Sequence, residues 1–155
     1  MARDRKPANL SRRAVASAPV LLAAVLLRRP AGASPAMMEA AIRDFTGHAP
    51  VNPGKVRLEI PPLVENGNTV PVTITVDSPM TAEAHVRAIA LFNGGNPQPN
   101  VITARLGPRS GRAMLSTRIR LATSQRLVAV AEMSDGAFWS DSAEVVVTLA
   151  ACVES

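Results

Sequence analysis

The sequence is poor in aromatic, cysteine and histidine residues. Its 155 residues include one cysteine, two histidines, one tryptophan, three phenylalanines and no tyrosine. So few aromatic rings exclude the stacking platforms on which proteins bind single-stranded nucleic acid. The histidines, His48 and His85, and the distant Cys152 show no recognisable metal-ligand spacing. No phosphate-binding loop or nucleotide fingerprint is present either. The sequence therefore predicts no metal, no cofactor and no nucleic-acid partner.

The chain also has little net charge beyond its first 33 residues. Seven of the 17 lysines and arginines, but only one of the 12 acidic residues, lie in residues 1–33. Residues 34–155 therefore carry ten basic and eleven acidic side chains, a net charge of −1. Residues 1–33 carry a net charge of +6, so the positive charge of the chain is local to the amino-terminal segment. It gives no argument for a nucleic-acid partner.

Residues 1–33 have the order of a cleavable export signal. Arg12 and Arg13 precede an apolar stretch from residue 14 to residue 27, and the small residues 31–33 (AGA) follow. Adjacent arginines after a serine resemble the twin-arginine class of signals, which exports folded proteins. The alternative is a membrane anchor, but 14 residues interrupted by Pro19 are too short to cross about 30 Å of hydrocarbon. We predict export without a stable membrane anchor.

Residues 34–149 are predicted to form one domain that starts with a short helix. Apolar residues recur at helical spacing after Pro35, which favours a first helical turn, and before Gly47, which favours a helix end. These apolar residues are Met38, Ala41, Ile42 and Phe45. The pattern predicts an amphipathic helix over about residues 35–46 whose apolar side packs on the domain or on a partner.

From about residue 54 to residue 149 the hydrophobic period changes from helical to alternating. Seven segments alternate or are rich in β-branched residues, and Gly, Pro, Asn and Asp residues separate them. These segments are residues 56–60, 70–76, 85–92, 101–106, 112–121, 125–133 and 143–149. They predict an all-β protein, an antiparallel β-sandwich of immunoglobulin-like architecture with about seven strands. Pro71 predicts an edge strand or a bulge because proline has no N–H for the ladder.

Cys152 is the one nucleophile whose position suggests a function. A lone thiol in an exported protein has no intramolecular partner, which leaves intermolecular pairing or a free reactive sulfur. An inert buried cysteine is the third possibility. The last predicted strand ends near Leu149, so Ala150 and Ala151 would carry the thiol only about 10 Å beyond the sheet, at ~3.3 Å per residue. We predict a cysteine arm over residues 150–155.

Segments along the whole domain resemble the SoxY family, the sulfur-carrier subunits of the periplasmic thiosulfate-oxidising system. The first group consists of residues 53–56 (PGKV), 60–72 (IPPLVENGNTVPV) and 76–81 (VDSPMT). The second group consists of residues 96–97 (NP), 99–101 (PNV), 116–121 (STRIRL) and 130–136 (VAEMSDG). The resemblance extends from about residue 39 to the last residue.

This resemblance implies an immunoglobulin-like sandwich that forms a heterodimer with a SoxZ-like subunit. It also implies that Cys152 holds a sulfur intermediate covalently, as an S-thiosulfonate or a related adduct. Sulfur-oxidising enzymes that receive the arm would then oxidise, cleave or extend this adduct. The family therefore implies a periplasmic carrier and not an enzyme.

The arm departs from the usual Gly-Gly-Cys-Gly-Gly of the family. Ala150 and Ala151 precede the cysteine, and Val153 and Glu154 follow it, which resembles SoxY-related paralogues with an AACIE arm. Side chains restrict backbone angles and widen the arm, whereas glycines do neither. The carboxylate of Glu154 also disfavours an anionic adduct on the neighbouring sulfur. We therefore expect a carrier with a different cargo or different partner enzymes.

Two other functions remain open on the sequence alone. A binding or assembly module could retain the SoxZ-like pairing surface after losing carrier activity. An enzyme with a nucleophilic cysteine would need an activating base, and the arm contains none. The polar residues late in the chain form no recognisable catalytic set and are predicted to occupy turns or solvated faces. They are Asp135, Ser140, Asp141 and Glu144.

Overall fold

The structure is a computed structural model that describes residues 34–151. The predicted export signal, with Arg12 and Arg13, and residues 152–155 lie outside the described residues. The described elements are α1 (Pro35–Thr46), β1 (Val51–Pro53), β2 (Val56–Glu59), β3 (Leu63–Val64), β4 (Val70–Val76), β5 (Val86–Asn93), β6 (Asn100–Arg105), a 3₁₀ turn (Pro108–Ser110), β7 (Met114–Ile119), β8 (Gln125–Met133) and β9 (Phe138–Val147). Within residues 34–151, no helix is long and apolar enough to cross a membrane.

Helix α1 begins and ends where the sequence predicts. The Ser34 side chain accepts a hydrogen bond from the Met37 N–H at 3.3 Å, which satisfies one of the free amides of the first turn. Gly47 ends the helix in the left-handed conformation, with φ 59°. The apolar side of α1 covers the outer face of the sheet that contains β5 and β9. There the Phe45 ring meets the rings of Phe92 and Phe138 edge to face, at centroid distances of 5.7 and 6.0 Å. The helix therefore packs on its own domain.

Two sheets form the predicted sandwich. The larger sheet has the strand order β1-β9-β8-β5-β6, with β3 also paired to β9, and the smaller has the order β2-β4-β7. In β4, buried residues alternate with more exposed ones, so one side of the strand faces the space between the two sheets. Ile74 of the smaller sheet and Ile89, Leu91 and Leu127 of the larger sheet are fully buried in this core. The prediction of an all-β sandwich is confirmed.

The strands differ from the prediction at the edge of the larger sheet. β1 and β3 have three and two residues, too few for an alternating pattern, and both pair with β9 in parallel. The described sandwich thus has nine strands and is not wholly antiparallel. β9 spans Phe138–Val147 instead of the predicted residues 143–149. Its first half was missed because serine and aspartate interrupt the hydrophobic pattern there.

Pro71 lies neither at a bulge nor on an edge strand. It belongs to β4, the central strand of the smaller sheet, and pairs in register with Arg118 of β7. On the other side, β2 ends at Glu59 opposite Thr73. Pro71 is therefore beyond the end of β2 and has a neighbouring strand on one side only, which is the local equivalent of an edge.

The side chain of Asp141 joins the two sheets at one edge. Its Oδ2 accepts a hydrogen bond from the Leu58 N–H of β2 at 2.9 Å, and its Oδ1 accepts one from the Ser142 N–H at 2.8 Å. Asp141 belongs to β9 of the larger sheet, whereas Leu58 belongs to the smaller one. The carboxylate therefore has a structural role that the sequence did not predict.

We expect Asp141→Ala to lower the free energy of unfolding by about 1–3 kcal/mol, because the partly buried Leu58 N–H would lose its acceptor. Glu144→Ala is the matched control, since Glu144 is an exposed carboxylate of the same strand, and we expect a change below about 0.5 kcal/mol. Urea unfolding of both variants measures the difference. Equal effects would contradict the bridging role of Asp141.

Candidate functional site

The chain that leads to Cys152 stays attached to the sandwich after β9 ends at Val147. The Val146 N–H donates to the Pro62 carbonyl at 2.9 Å and the Thr148 N–H donates to the Val64 carbonyl at 3.0 Å. The Leu149 N–H then donates to the carbonyl of Glu65 at 3.2 Å. The hydrogen bonding between these two segments thus continues for two residues beyond the end of β9. Leu149 is not yet free of the sheet edge.

A ring of backbone hydrogen bonds then holds Ala151, the last described residue. The Ala151 N–H donates to the Leu121 carbonyl at 3.1 Å, and the Leu121 N–H donates to the Gly67 carbonyl at 2.8 Å. The Gly67 N–H donates to the Leu149 carbonyl at 2.8 Å and closes the ring. We call Gly67, Leu121, Leu149 and Ala151 the arm clamp. Ala151 is 6% exposed and Leu121 is fully buried, so water competes little for these bonds.

Only glycine fits at position 67 of the arm clamp. A Cβ atom there would overlap the Leu121 carbonyl oxygen and stand 3.0 Å from the Ala151 nitrogen. It would also stand 3.2 Å from Cγ1 of Val147. Backbone atoms cannot rotate away as a flexible side chain can. The absence of a side chain at Gly67 is therefore what lets the three segments approach each other.

A partly buried amide network supports the Leu121 side of the arm clamp. The Asn96 Oδ1 accepts hydrogen bonds from the Ala122 N–H and from Nε2 of Gln125, each at 2.9 Å, and the Asn96 Nδ2 donates to the Arg120 carbonyl at 2.7 Å. Asn96 thus holds the residues on both sides of Leu121. Gln125 is 8% exposed, and its amide is satisfied within this network as buried amides require.

Three exposed aliphatic side chains lie near the arm clamp. Leu63 and Val146 are register partners in the β3–β9 pairing, with exposed fractions of 59% and 53%. Leu149, within the clamp itself, is 62% exposed. We call the adjacent residues Leu63 and Val146 the apolar patch. Grouped exposed aliphatic side chains are typical of surfaces that contact another protein.

The structure describes only part of the predicted site. Ala150 is exposed and Ala151 is buried in the arm clamp, whereas Cys152, Val153 and Glu154 lie outside the described residues. His48 follows α1, and His85 directly precedes β5 instead of lying in a strand. The His85 Nδ1 is 3.1 Å from the Thr81 carbonyl. No group of three His, Cys, Asp or Glu residues within residues 34–151 could hold a metal ion.

Sequence reasoning missed the arm clamp altogether. The sequence pattern predicts a turn between strands at Gly67 and the end of a strand at Leu121. Their contact joins residues that are 54 positions apart in the chain. The only sequence signal was indirect, since the segments around Gly67, Asn96 and Leu121 all belong to the motifs that carry the family resemblance. Nothing in their composition indicates that they meet.

Comparisons with known proteins agree with the motifs. The model of the family described as sulfur oxidation protein SoxY matches residues 42–152. The structure of the sulfur carrier protein SoxY from Chlorobium limicola f thiosulfatophilum is 26% identical, with a TM-score of 0.60 over 70% of this chain and 90% of that chain. A superoxide reductase (neelaredoxin) from Ignicoccus hospitalis is 18% identical, with a TM-score of 0.55 over 74% and 94%. The latter likeness shows the fold alone. No curated protein matches the sequence.

We expect Asn96→Ala to lower the free energy of unfolding by about 1–3 kcal/mol, because it removes the acceptor of the Ala122 N–H and a partner of the buried Gln125 amide. Asn100→Ala is the matched control, since the Asn100 side chain is exposed and bonds only to Thr103 within the described residues. We expect its change to stay below about 0.5 kcal/mol. Denaturant unfolding distinguishes the two, and equal losses would contradict the supporting role of Asn96.

Proposed function

Because the chain belongs to the SoxY family, we propose that it is an exported periplasmic carrier that holds a sulfur intermediate covalently on Cys152. The observation that carries this proposal is the extent of the family match, which runs to residue 152 and so includes the one cysteine of the chain. SoxY proteins are sulfur carriers of the periplasmic Sox system. The predicted export signal of residues 1–33 agrees with that location.

The chemistry of loading explains why the carrier depends on other proteins. Joining the Cys152 thiol to thiosulfate forms one S–S bond, breaks the S–H bond and releases one proton and two electrons. An enzyme that accepts electrons must therefore take part in loading. Cys152 supplies the nucleophilic sulfur and an attachment point, and the arm contains no histidine to act as its general base. In this proposal the chain is a carrier and not an enzyme.

The side chains of the arm define which enzymes can receive it. Ala150 and Ala151 before the cysteine, and Val153 and Glu154 after it, restrict the backbone and widen the arm compared with glycines. The Glu154 carboxylate also repels an anionic cargo. We propose that the partner enzymes have a wider entrance, or that the cargo is less negatively charged, than in ordinary thiosulfate oxidation.

The SoxY family pairs with SoxZ, and we propose a heterodimer with a SoxZ-like subunit for this chain. The apolar patch of Leu63 and Val146, together with the exposed Leu149, supports a protein contact at the end of the sandwich that leads to Cys152. The same patch is compatible with the second candidate function, an assembly module that binds its partner without carrying sulfur. The two functions predict different states of the Cys152 thiol. A carrier holds a sulfur adduct there, whereas an assembly module leaves the thiol bare.

The intact mass of the mature protein, purified from its native periplasm without reductant, tests the carrier proposal directly. We expect an adduct with additional sulfur that a thiol reductant removes and that is absent from Cys152→Ser, because that variant lacks the only thiol. Peptide mapping of the same sample locates the adduct.

Two outcomes of this measurement are informative. An adduct that persists in Cys152→Ser would contradict the assignment to that residue. A bare, unreactive thiol on a protein that still binds a SoxZ-like partner would contradict the carrier function and favour the assembly module.

A reconstituted thiosulfate-oxidation assay tests the role of the arm side chains. With the Sox enzymes of an ordinary SoxY, we expect this chain to support a rate roughly tenfold or more below that of authentic SoxY, which corresponds to about 1.4 kcal/mol of lost transition-state stabilisation. Replacing Ala150, Ala151, Val153 and Glu154 together by glycine is expected to recover part of the rate. Ser155→Gly is the control and should not. Full activity of the unaltered chain would refute the proposed specialisation.

A further inference from the structure

We propose that Gly67 and Leu121 are positioning residues that fix the base of the cysteine arm at Ala151. On this view, the segment that an enzyme can take without opening the arm clamp begins at Cys152 and not at Ala150. The inference rests on the proposed carrier function, and it concerns how far the carried sulfur can reach. It also indicates which kind of enzyme can receive it.

The hydrogen bonds of the arm clamp reach the residue directly before the cysteine. Ala151 donates to Leu121 at 3.1 Å, and Leu121 is itself held by Gly67 at 2.8 Å. The Ala151 methyl group is buried, with 6% of the residue exposed, whereas Ala150 beside it is exposed. Withdrawing Ala151 would break its hydrogen bond, expose its methyl group and leave the buried Leu121 carbonyl without this partner. The clamp therefore resists a pull on the arm.

The clamp shortens the reach of the thiol. If the arm were anchored at Leu149, three residues at about 3.3–3.6 Å each would carry Cys152 about 10 Å from the anchor. With Ala151 as the anchor, one peptide unit of about 3.8 Å separates the Cα of Cys152 from it. A reactive centre deep in a narrow channel is out of reach at that distance. The geometry suits an enzyme whose reactive centre lies close to its surface and whose rim contacts the sandwich beside Leu63 and Leu149.

Gly67→Ala tests the clamp without involving any partner enzyme. Its matched control is Gly107→Ala, because a Cβ atom at Gly107 meets no atom within 4 Å. Amide hydrogen exchange by NMR reports whether Ala151 is held, and the EPR line shape of a nitroxide on Cys152 reports how tightly the arm base is anchored. Amides of β8, such as those of Ala129 and Val130, report the integrity of the core.

In the unaltered chain and in Gly107→Ala, we expect a protected Ala151 amide and a broad nitroxide line. In Gly67→Ala, we expect Ala151 to exchange about tenfold faster or more and the line to narrow, while β8 stays protected. A loss of overall stability alone would accelerate β8 as well. An unprotected Ala151 amide in the unaltered chain, or the same line shape in Gly67→Ala, would overturn the proposal.

A second variant covers the case in which Gly67→Ala does not fold. Ala151→Gly keeps the N–H that bonds to Leu121 but removes the buried methyl group and adds backbone freedom. We expect its residue-151 amide to exchange about two- to fivefold faster than in the unaltered chain. No acceleration there would count against the clamp. Nitroxide labelling needs only the thiol of Cys152, so these results do not depend on the native adduct. If that adduct were absent, the carrier function would be refuted and the clamp would not.

Discussion

Strand β9 is bonded along both of its edges, and the rest of the described structure depends on this double pairing. On one edge it pairs with β8 from Gln125 to Glu132, and on the other it pairs with the short strands β1 and β3. Its Asp141 also reaches across to β2 of the smaller sheet. The same strand then continues into the residues that lead to Cys152. A carrier needs a rigid support for its reactive group, and in the proposed function that support is a strand bonded along both of its edges.

The fold was largely predictable from local pattern, whereas the site was only partly so. The alternation in residues 70–76 and the helix signals at Pro35 and Gly47 depend on neighbouring residues, so they are legible in the sequence. β1 and β3 were missed because two or three residues carry no period. The arm clamp was missed for a different reason. Gly67 and Leu121 meet through backbone atoms over a long sequence separation, and a glycine at position 67 does not indicate which residue it will contact.

The surroundings of Ala151 explain why an alanine suits the position directly before the cysteine. Ala151 has a buried methyl group and less conformational freedom than a glycine would have, and both properties stabilise its attachment to Leu121. Gly67 has the opposite requirement, since any side chain there would collide with the hydrogen-bonded backbone atoms of Leu121 and Ala151. The absence of a side chain at one position and the presence of a small one at the other thus serve the same packing arrangement.

In the proposed carrier, a closed arm clamp also acts on the binding equilibria between the arm and its partner enzymes. Some enzymes would have to take up Ala151 as well as Cys152 and the residues after it. Such an enzyme can bind only molecules in which the hydrogen bond between Ala151 and Leu121 is broken. Its apparent dissociation constant is the intrinsic constant divided by the fraction of such molecules. If roughly one molecule in a hundred were open, the apparent affinity would fall about a hundredfold. An enzyme with a reactive centre at its surface pays no such penalty, so the three hydrogen bonds beside Gly67 can discriminate between enzymes without contacting any of them.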